Sequence, residues 1–318
     1  MAGESCRTHP ASVQGDKVRY NLIVSAIAAA GLLAAPTTAQ ELTGTLKKIK
    51  DSGAITLGHR ESSVPFSYYD DKQQVIGYSI DLCYRIVDAV KKELKLDELA
   101  VKLDPVTSST RIPLMANGTI DLECGSTTND LDRQKQVAFA ITDYITAVKF
   151  VSKKAANFKT VDDLKGKTVV STSGTLNIKV ITELNAKRNL NLNIIAVQDH
   201  AEAFLMVETD RAAAFVMDDI LLYGFVAGAK APGDYVVSAD PLLIEPYAIM
   251  LRRDDPAFKK VADNTLIGLF KSGEIHALYA KWFTQPVPPK GINLNVPMSD
   301  TLKRVIANPT DSGNPASY

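Results

Sequence analysis

In the stretch "TSSTRIPLMANG" (107–118), Ser108, Ser109 and Thr110 lead directly into Arg111, and the spacing predicts a short helix that starts at this arginine and closes at Gly118. A helix start already presents positive charge, so a carboxylate rather than a guanidinium is the stabilising choice there. An arginine turned into solvent is the plain explanation. The sharper one is an anion site made of helix N–H groups, hydroxyls and one guanidinium. Other predicted strands end in similar chemistry. "TIDLECG" runs out into "STTND", which carries Ser126 and Thr128, and "KTVVST" runs out into Ser173, Gly174 and Thr175 at another helix start. "AAAFVM" ends at Asp218, and "AITLGH" ends at His59, Arg60 and Glu61. Each group alone reads as a cap or a turn. Together they supply guanidiniums, hydroxyls and one carboxylate, with fixed cations outnumbering the anion. Such a set suits a small molecule bearing more negative than positive charge.

The elements that must position these residues alternate between strand and helix, which implies an α/β fold with largely parallel strands. "ELTGTLKKIKDSG" places Leu42, Leu46 and Ile49 at helical spacing before Gly53 as a stop. "GYSIDLCYRIVDAVKKELK" predicts a helix capped by Ser79, with Leu82, Ile86, Val87, Val90 and Leu94 on one face. A second series of alternating elements begins near residue 161 and faintly echoes the first. Between the two lies "ITDYITAVKFVSKK", and after the second comes "LLIEPYAIMLRRDD". Both read as extended segments able to join two lobes. "PAFKKVADNTLIGLFKSGEIHALYAKWF" predicts two helices that return to the first lobe, "TQPVPPKGINLNVP" a surface-wrapping tail, and "NPTDSGNPASY" a frayed end. In open α/β sheets ligands bind beyond the carboxyl ends of the strands, where the polar groups above collect.

The 318 residues suffice for two domains, and 36 Lys+Arg against 36 Asp+Glu leave no basic field for nucleic acid. Lys17 and Arg19 precede the apolar run "NLIVSAIAAAGLLAAP", and "TTAQ" follows with Thr37 and Ala39 at the small-residue positions of a cleavage site. Residues 1–39 therefore read as a secretory signal peptide, with Gln40 opening the mature, exported chain. No other run is long and apolar enough for a membrane helix. Cys83 and Cys124 can pair in an oxidising compartment or stay as buried thiols, and the sequence leaves the choice open. No His/Cys cluster at zinc spacing, nucleophile elbow or dinucleotide fingerprint is present. "GKT" at 166–168 lacks the glycine a phosphate loop requires, because Val161 stands there. No cofactor or metal is expected.

"GYSIDLCYRI", "SSTRIPLMANGTIDLECGSTTN", "VDDLKGKTVVSTSGT" and "KWFTQPVPPK", in that order, resemble the polar-amino-acid (family 3) solute-binding proteins of ABC importers. "GHRESSVPFSYYD" with "ECGSTTN" is similar to the glutamate/aspartate-binding subgroup. The resemblance spans the mature chain. It implies a type II periplasmic-binding-protein fold, two α/β lobes joined by two hinge strands and closing on the ligand. The expected division is 40–146 plus 249–318 for lobe 1 and 147–248 for lobe 2.

Carried over by position, the resemblance makes Arg111 the holder of a ligand carboxylate and Asp218 the receiver of the α-ammonium. Ser126, Thr128 and Thr175 surround the amino-acid head, while Arg60, Ser108 and His200 are additional anion-binding positions. Asp130 departs from the usual asparagine and reads as a cap. The implied protein is a periplasmic, monomeric receptor that delivers L-glutamate or L-aspartate to a membrane permease. A glutamine or asparagine ligand leaves one buried guanidinium without a counter-charge, at a cost of about 3–5 kcal/mol, or roughly two to three orders of magnitude in affinity. The alternative is a cyclohexadienyl or arogenate dehydratase-like enzyme on the same scaffold, which needs a free general acid such as Glu61 or His200 in the cleft.

Overall fold

The computed structural model describes residues 42–318, so the leader expected at 1–39 lies outside the described residues. Helix α1 (Gly44–Ser52) stops at Gly53, whose left-handed conformation (φ 65°) lets its N–H reach the Ile49 carbonyl. Strand β1 (Ala54–His59) follows, then three short strands, β2 (Ser62–Ser63), β3 (Ser67–Tyr69) and β4 (Val75–Ile76). Helix α2 (Tyr78–Glu93), β5 (Ala100–Pro105), α3 (Arg111–Ala116), β6 (Leu122–Cys124) and β7 (Val137–Phe139) complete the first series.

The long strand β8 (Tyr144–Lys153) opens the second series. It continues through β9 (Thr168–Thr172), α4 (Leu176–Arg188), β10 (Asn193–Val197), α5 (His200–Glu208) and β11 (Ala214–Asp218). Helix α6 (Asp219–Gly228), β12 (Tyr235–Val237) and β13 (Leu243–Tyr247) follow. The chain then returns through β14 (Met250–Arg252), α7 (Pro256–Ser272), α8 (Glu274–Tyr279) and α9 (Asp300–Ala307).

These elements build two main sheets. One has the order β5-β1-β6-β14-β7, with β5, β1 and β6 parallel and β14 antiparallel to both neighbours. The other has the order β10-β9-β11-β8-β12, with β13 also paired to β8. β8 and β13 run antiparallel from Tyr144↔Tyr247 to Val148↔Leu243 and form the two connections between the sheets. The segment expected to return as one extended run breaks after Tyr247, so β13 pairs in one sheet and β14 in the other. The fold is the two-lobed type II arrangement of mixed α/β architecture.

The predicted face of α2 is buried as expected: Leu82, Ile86, Val87, Val90 and Leu94 all belong to the main core. Fully burying a side chain of this kind contributes about 1.5–3 kcal/mol. Where β8 and β13 cross, Phe66, Tyr144, Tyr247, Tyr279 and Phe283 pack with ring centroids 4.4–6.2 Å apart. Cys83 and Cys124 form a disulfide with Cα atoms 6.1 Å apart, so the choice the sequence left open goes to pairing. It ties α2 to the end of β6, and a loop of this length is worth about 4 kcal/mol on the chain-entropy scale.

Two expectations are corrected. Ser79 does not cap α2: Gly77 holds that position with φ 143°, and Ser79 sits in the first turn donating to the Gly125 carbonyl at 2.8 Å. Only glycine fits at 77, because a Cβ there would stand 2.1 Å from the Phe66 carbonyl oxygen. Nor is the C-terminus frayed. The Thr310 carbonyl accepts from the Thr142 N–H at 2.8 Å, the Asp311 carbonyl accepts from Asn129 Nδ2 at 2.9 Å, and the Tyr318 hydroxyl meets Thr142 Oγ1 at 2.7 Å. Tail carbonyls here satisfy donors of the loops they cover.

Candidate functional site

Between the two sheets lies a small, tightly closed cleft. The first sheet's side contributes Ser108, Arg111, Ser126 and Thr128; the second contributes Thr175, Asn177, His200 and Asp218, with Leu176, Met217 and Leu221 as apolar wall. Seven of the eight predicted site residues thus line one enclosure. The eighth, Arg60, stands directly behind it with Nη2 3.3 Å from His200 Nε2. A larger depression of about 330 Å³ lies elsewhere, against Tyr68, Phe204 and Phe225.

Arg111 does open α3, a helix of only six residues. Thr107 and Thr110 cap one another's backbone N–H groups, which leaves the Ser108 hydroxyl without a partner. The guanidinium points inward instead, donating through Nη1 to the Ser126 carbonyl at 3.1 Å and to Thr127 Oγ1 at 2.5 Å. Arg60 and Arg111 are each only 2% exposed, and burial lowers both guanidiniums, Arg111 to about 9. Five buried polar atoms here have no hydrogen-bond partner among the described residues: the donors Arg60 Nη1, Arg111 Nε, Ser108 Oγ and Ser126 Oγ, and the acceptor Glu123 Oε1. Orphaned buried donors are costly, and a group of them marks a place where something polar belongs.

The opposite wall is already satisfied. Thr175 caps α4, accepting from the Ile178 N–H at 3.4 Å and donating to the Thr172 carbonyl at 2.6 Å. Asp218 Oδ1 accepts from Asn177 Nδ2 at 2.7 Å, and Oδ2 accepts from the Tyr247 hydroxyl. Burial pushes the Asp218 carboxyl up to about 6, against these two hydrogen bonds that pull it down. His200 pairs through Nδ1 with Thr172 Oγ1 at 2.8 Å. A guanidinium only donates, so Nε2 must be the acceptor toward Arg60 and Nδ1 carries the proton. Burial and the two arginines hold the ring neutral, well below the usual histidine range. His200 therefore orients Arg60 and adds no positive charge.

The structure also corrects the charge balance. Glu123, fully buried on β6, stands 3.8 Å from Arg111 Nη1, and its Oε2 accepts from the Thr127 hydroxyl. With Glu123 and Asp218 facing Arg60 and Arg111, cations do not outnumber anions. What the cavity lacks is hydrogen-bond partners for its arginines and serines. Glu245, buried behind the site, accepts from the Thr128 hydroxyl, and burial raises its carboxyl well above the usual range. Glu123, Thr127, Thr172, Asn177, Glu245 and Tyr247 were not singled out from the sequence. A glutamate inside the apolar strand "TIDLECG" was the one available signal.

The two halves meet around the cavity. The Ser62 hydroxyl donates to Asp199 at 2.6 Å, and Arg133 Nη2 donates to the Gly174 carbonyl at 3.2 Å. Gly174 lies so close that a Cβ would sit 2.7 Å from the Ser108 backbone. Asp130 caps the following turn, accepting from the Asp132 and Arg133 N–H groups. His59 is buried against the Arg60 carbonyl and Tyr69. Glu61, one candidate general acid, is exposed and lines the larger depression instead of this cavity. Among the described residues no cluster of His, Cys, Asp or Glu could hold a metal ion, and no helix is long and apolar enough to cross a membrane.

The profile of the bacterial extracellular solute-binding proteins, family 3, matches residues 55–285. An L-glutamate/L-aspartate-binding protein of Pseudomonas aeruginosa is 54% identical over 93% of this chain and 98% of its own length. A glutamate/aspartate import solute-binding protein of Escherichia coli K12 is 46% identical over 91% of this chain and 96% of its own. Among solved structures, an ancestral amino acid-binding protein described as a precursor of cyclohexadienyl dehydratase is 29% identical, with a TM-score of 0.64 over 76% of this chain and all of that one.

Proposed function

The chain belongs to the bacterial extracellular solute-binding proteins, family 3, and from that premise we propose that it captures L-glutamate and L-aspartate outside the cytoplasmic membrane and delivers them to the permease of an ABC importer. It works as a monomeric receptor without turnover. Arg111 with Ser126 takes one ligand carboxylate, and Arg60, steadied by His200, takes the other with Ser108. Asp218 receives the α-ammonium, and Thr128 and Thr175 close around the amino-acid head. The lobes divide at 40–146 plus 249–318 against 147–248, with β8 and β13 as the hinge.

The observation that carries this reading is the set of four orphaned buried atoms on Arg60, Ser108, Arg111 and Ser126. A dicarboxylate supplies acceptors for all of them, whereas an amide side chain has only its carbonyl oxygen to offer and brings no charge to pair with the second guanidinium. The enzymatic alternative lacks its acid: Glu61 is outside the cavity and His200 is a neutral acceptor.

A thermal-shift screen of the twenty amino acids tests it. A ligand at about 100 times its Kd stabilises by about 2.7 kcal/mol, so glutamate and aspartate are expected to raise the melting temperature by several degrees, with glutamine and asparagine near baseline. A larger shift with a neutral or basic amino acid would reject the assignment, as would consumption of the ligand.

A further inference from the structure

Glu123 has no task in the reading above, yet it stands 3.8 Å from the Arg111 guanidinium and borders the Arg60 side chain at Gly125. Leu122 and Cys124, its neighbours on β6, belong to the core beneath α2, and Glu123 points the other way. Its Oε2 accepts from the Thr127 hydroxyl, whose oxygen accepts in turn from Arg111 Nη1. Oε1 lies 3.8 Å from the same nitrogen and has no hydrogen-bond partner among the described residues. A Cβ on Gly125 would meet Glu123 Oε1 at 2.2 Å and Arg60 Cγ at 2.9 Å, so both side chains use the space that glycine leaves bare.

Building on the glutamate/aspartate reading, we propose that Glu123 is a positioning residue that holds Arg60 and Arg111 at the separation required by two ligand carboxylates, and so sets which length of acidic amino acid binds best. One buried anion near two cations draws both toward it, and without it two buried guanidiniums repel strongly because little water screens them. Burial lowers both arginines, and Glu123 is the strongest influence keeping each of them charged. The direction of the selectivity change follows. Guanidiniums that move apart penalise aspartate, one methylene shorter, more than glutamate.

Calorimetry with both ligands on the wild type, Glu123→Gln and Thr127→Val tests this. Glu123→Gln keeps the volume and removes the charge; both ligands should weaken, aspartate by at least about tenfold more than glutamate. Thr127→Val cuts only the relay and should shift the ratio in the same direction by less. An unchanged glutamate-to-aspartate ratio, or a uniform loss tracking a lowered melting temperature, overturns the proposal. Should Glu123→Gln fail to fold, the ratio in Thr127→Val decides alone. A wild type that binds neither ligand removes the acidic-ligand reading, and the positioning role with it, before any variant is measured.

Discussion

The two walls of the cavity are opposites. On the first sheet's side, Arg60, Ser108, Arg111 and Ser126 each keep a buried polar atom without a partner. On the second sheet's side, Thr175 caps a helix, Asn177 and Tyr247 hold Asp218, and Thr172 holds His200, so these groups are oriented before anything binds. The difference divides the labour of a hinged receptor. The wall with unmet demand can hold a ligand by itself in an open molecule. The satisfied wall needs little rearrangement and adds its contacts as the cleft shuts, which keeps the ordering cost of closure low.

The strongest way to break this comparison is on the needy wall. Arg111→Ala should weaken glutamate and aspartate by at least about a hundredfold, since it removes the buried partner of both ligand and Glu123. Affinity within tenfold of wild type by calorimetry would move the main holding function elsewhere. His200→Ala sharpens the comparison, because it takes from Arg60 an acceptor on the opposite wall. A hydrogen bond to a charged group is worth about 1.5–3 kcal/mol, so acidic ligands should lose roughly thirtyfold, a larger loss than the accompanying drop in stability accounts for. A collapsed melting temperature with unaltered affinity would make His200 purely structural.

The smallest effect probes Asp218. Its carboxyl is pushed up to about 6 by burial and must be ionised to receive an ammonium group. Affinity is therefore full above that pH and lost below it, by about tenfold between pH 7 and pH 5. A flat profile over that range would assign the ammonium to another acceptor.

Much of the site was legible because strand ends in an α/β sheet converge, and each predicted residue sat at such an end or at the helix start beside one. Arg111, Ser126, Thr175 and Asp218 were found in this way, and the alternation of elements gave the fold class. The resemblance to a family added His200, which periodicity alone reads as a capping residue. Ser79 was mistaken for a cap because a serine near a helix start ordinarily is one, and the contact that makes Gly77 obligatory comes from Phe66. The tail was mistaken for a frayed end because its own residues carry no apolar pattern, while the donors that bind it lie on loops far away.

Local spacing, read from the chain alone, determined where helices and strands form, which faces they bury and which polar residues stand at their ends. These properties depend on neighbours within a few positions. Only the tertiary structure decided that Cys83 and Cys124 pair, that Glu123 stands beside Arg111, and that His200 is a neutral acceptor for a guanidinium 140 positions away. Charge state and hydrogen-bond satisfaction depend on burial and on what comes within about 4 Å across the fold, and no periodicity in a sequence encodes that distance.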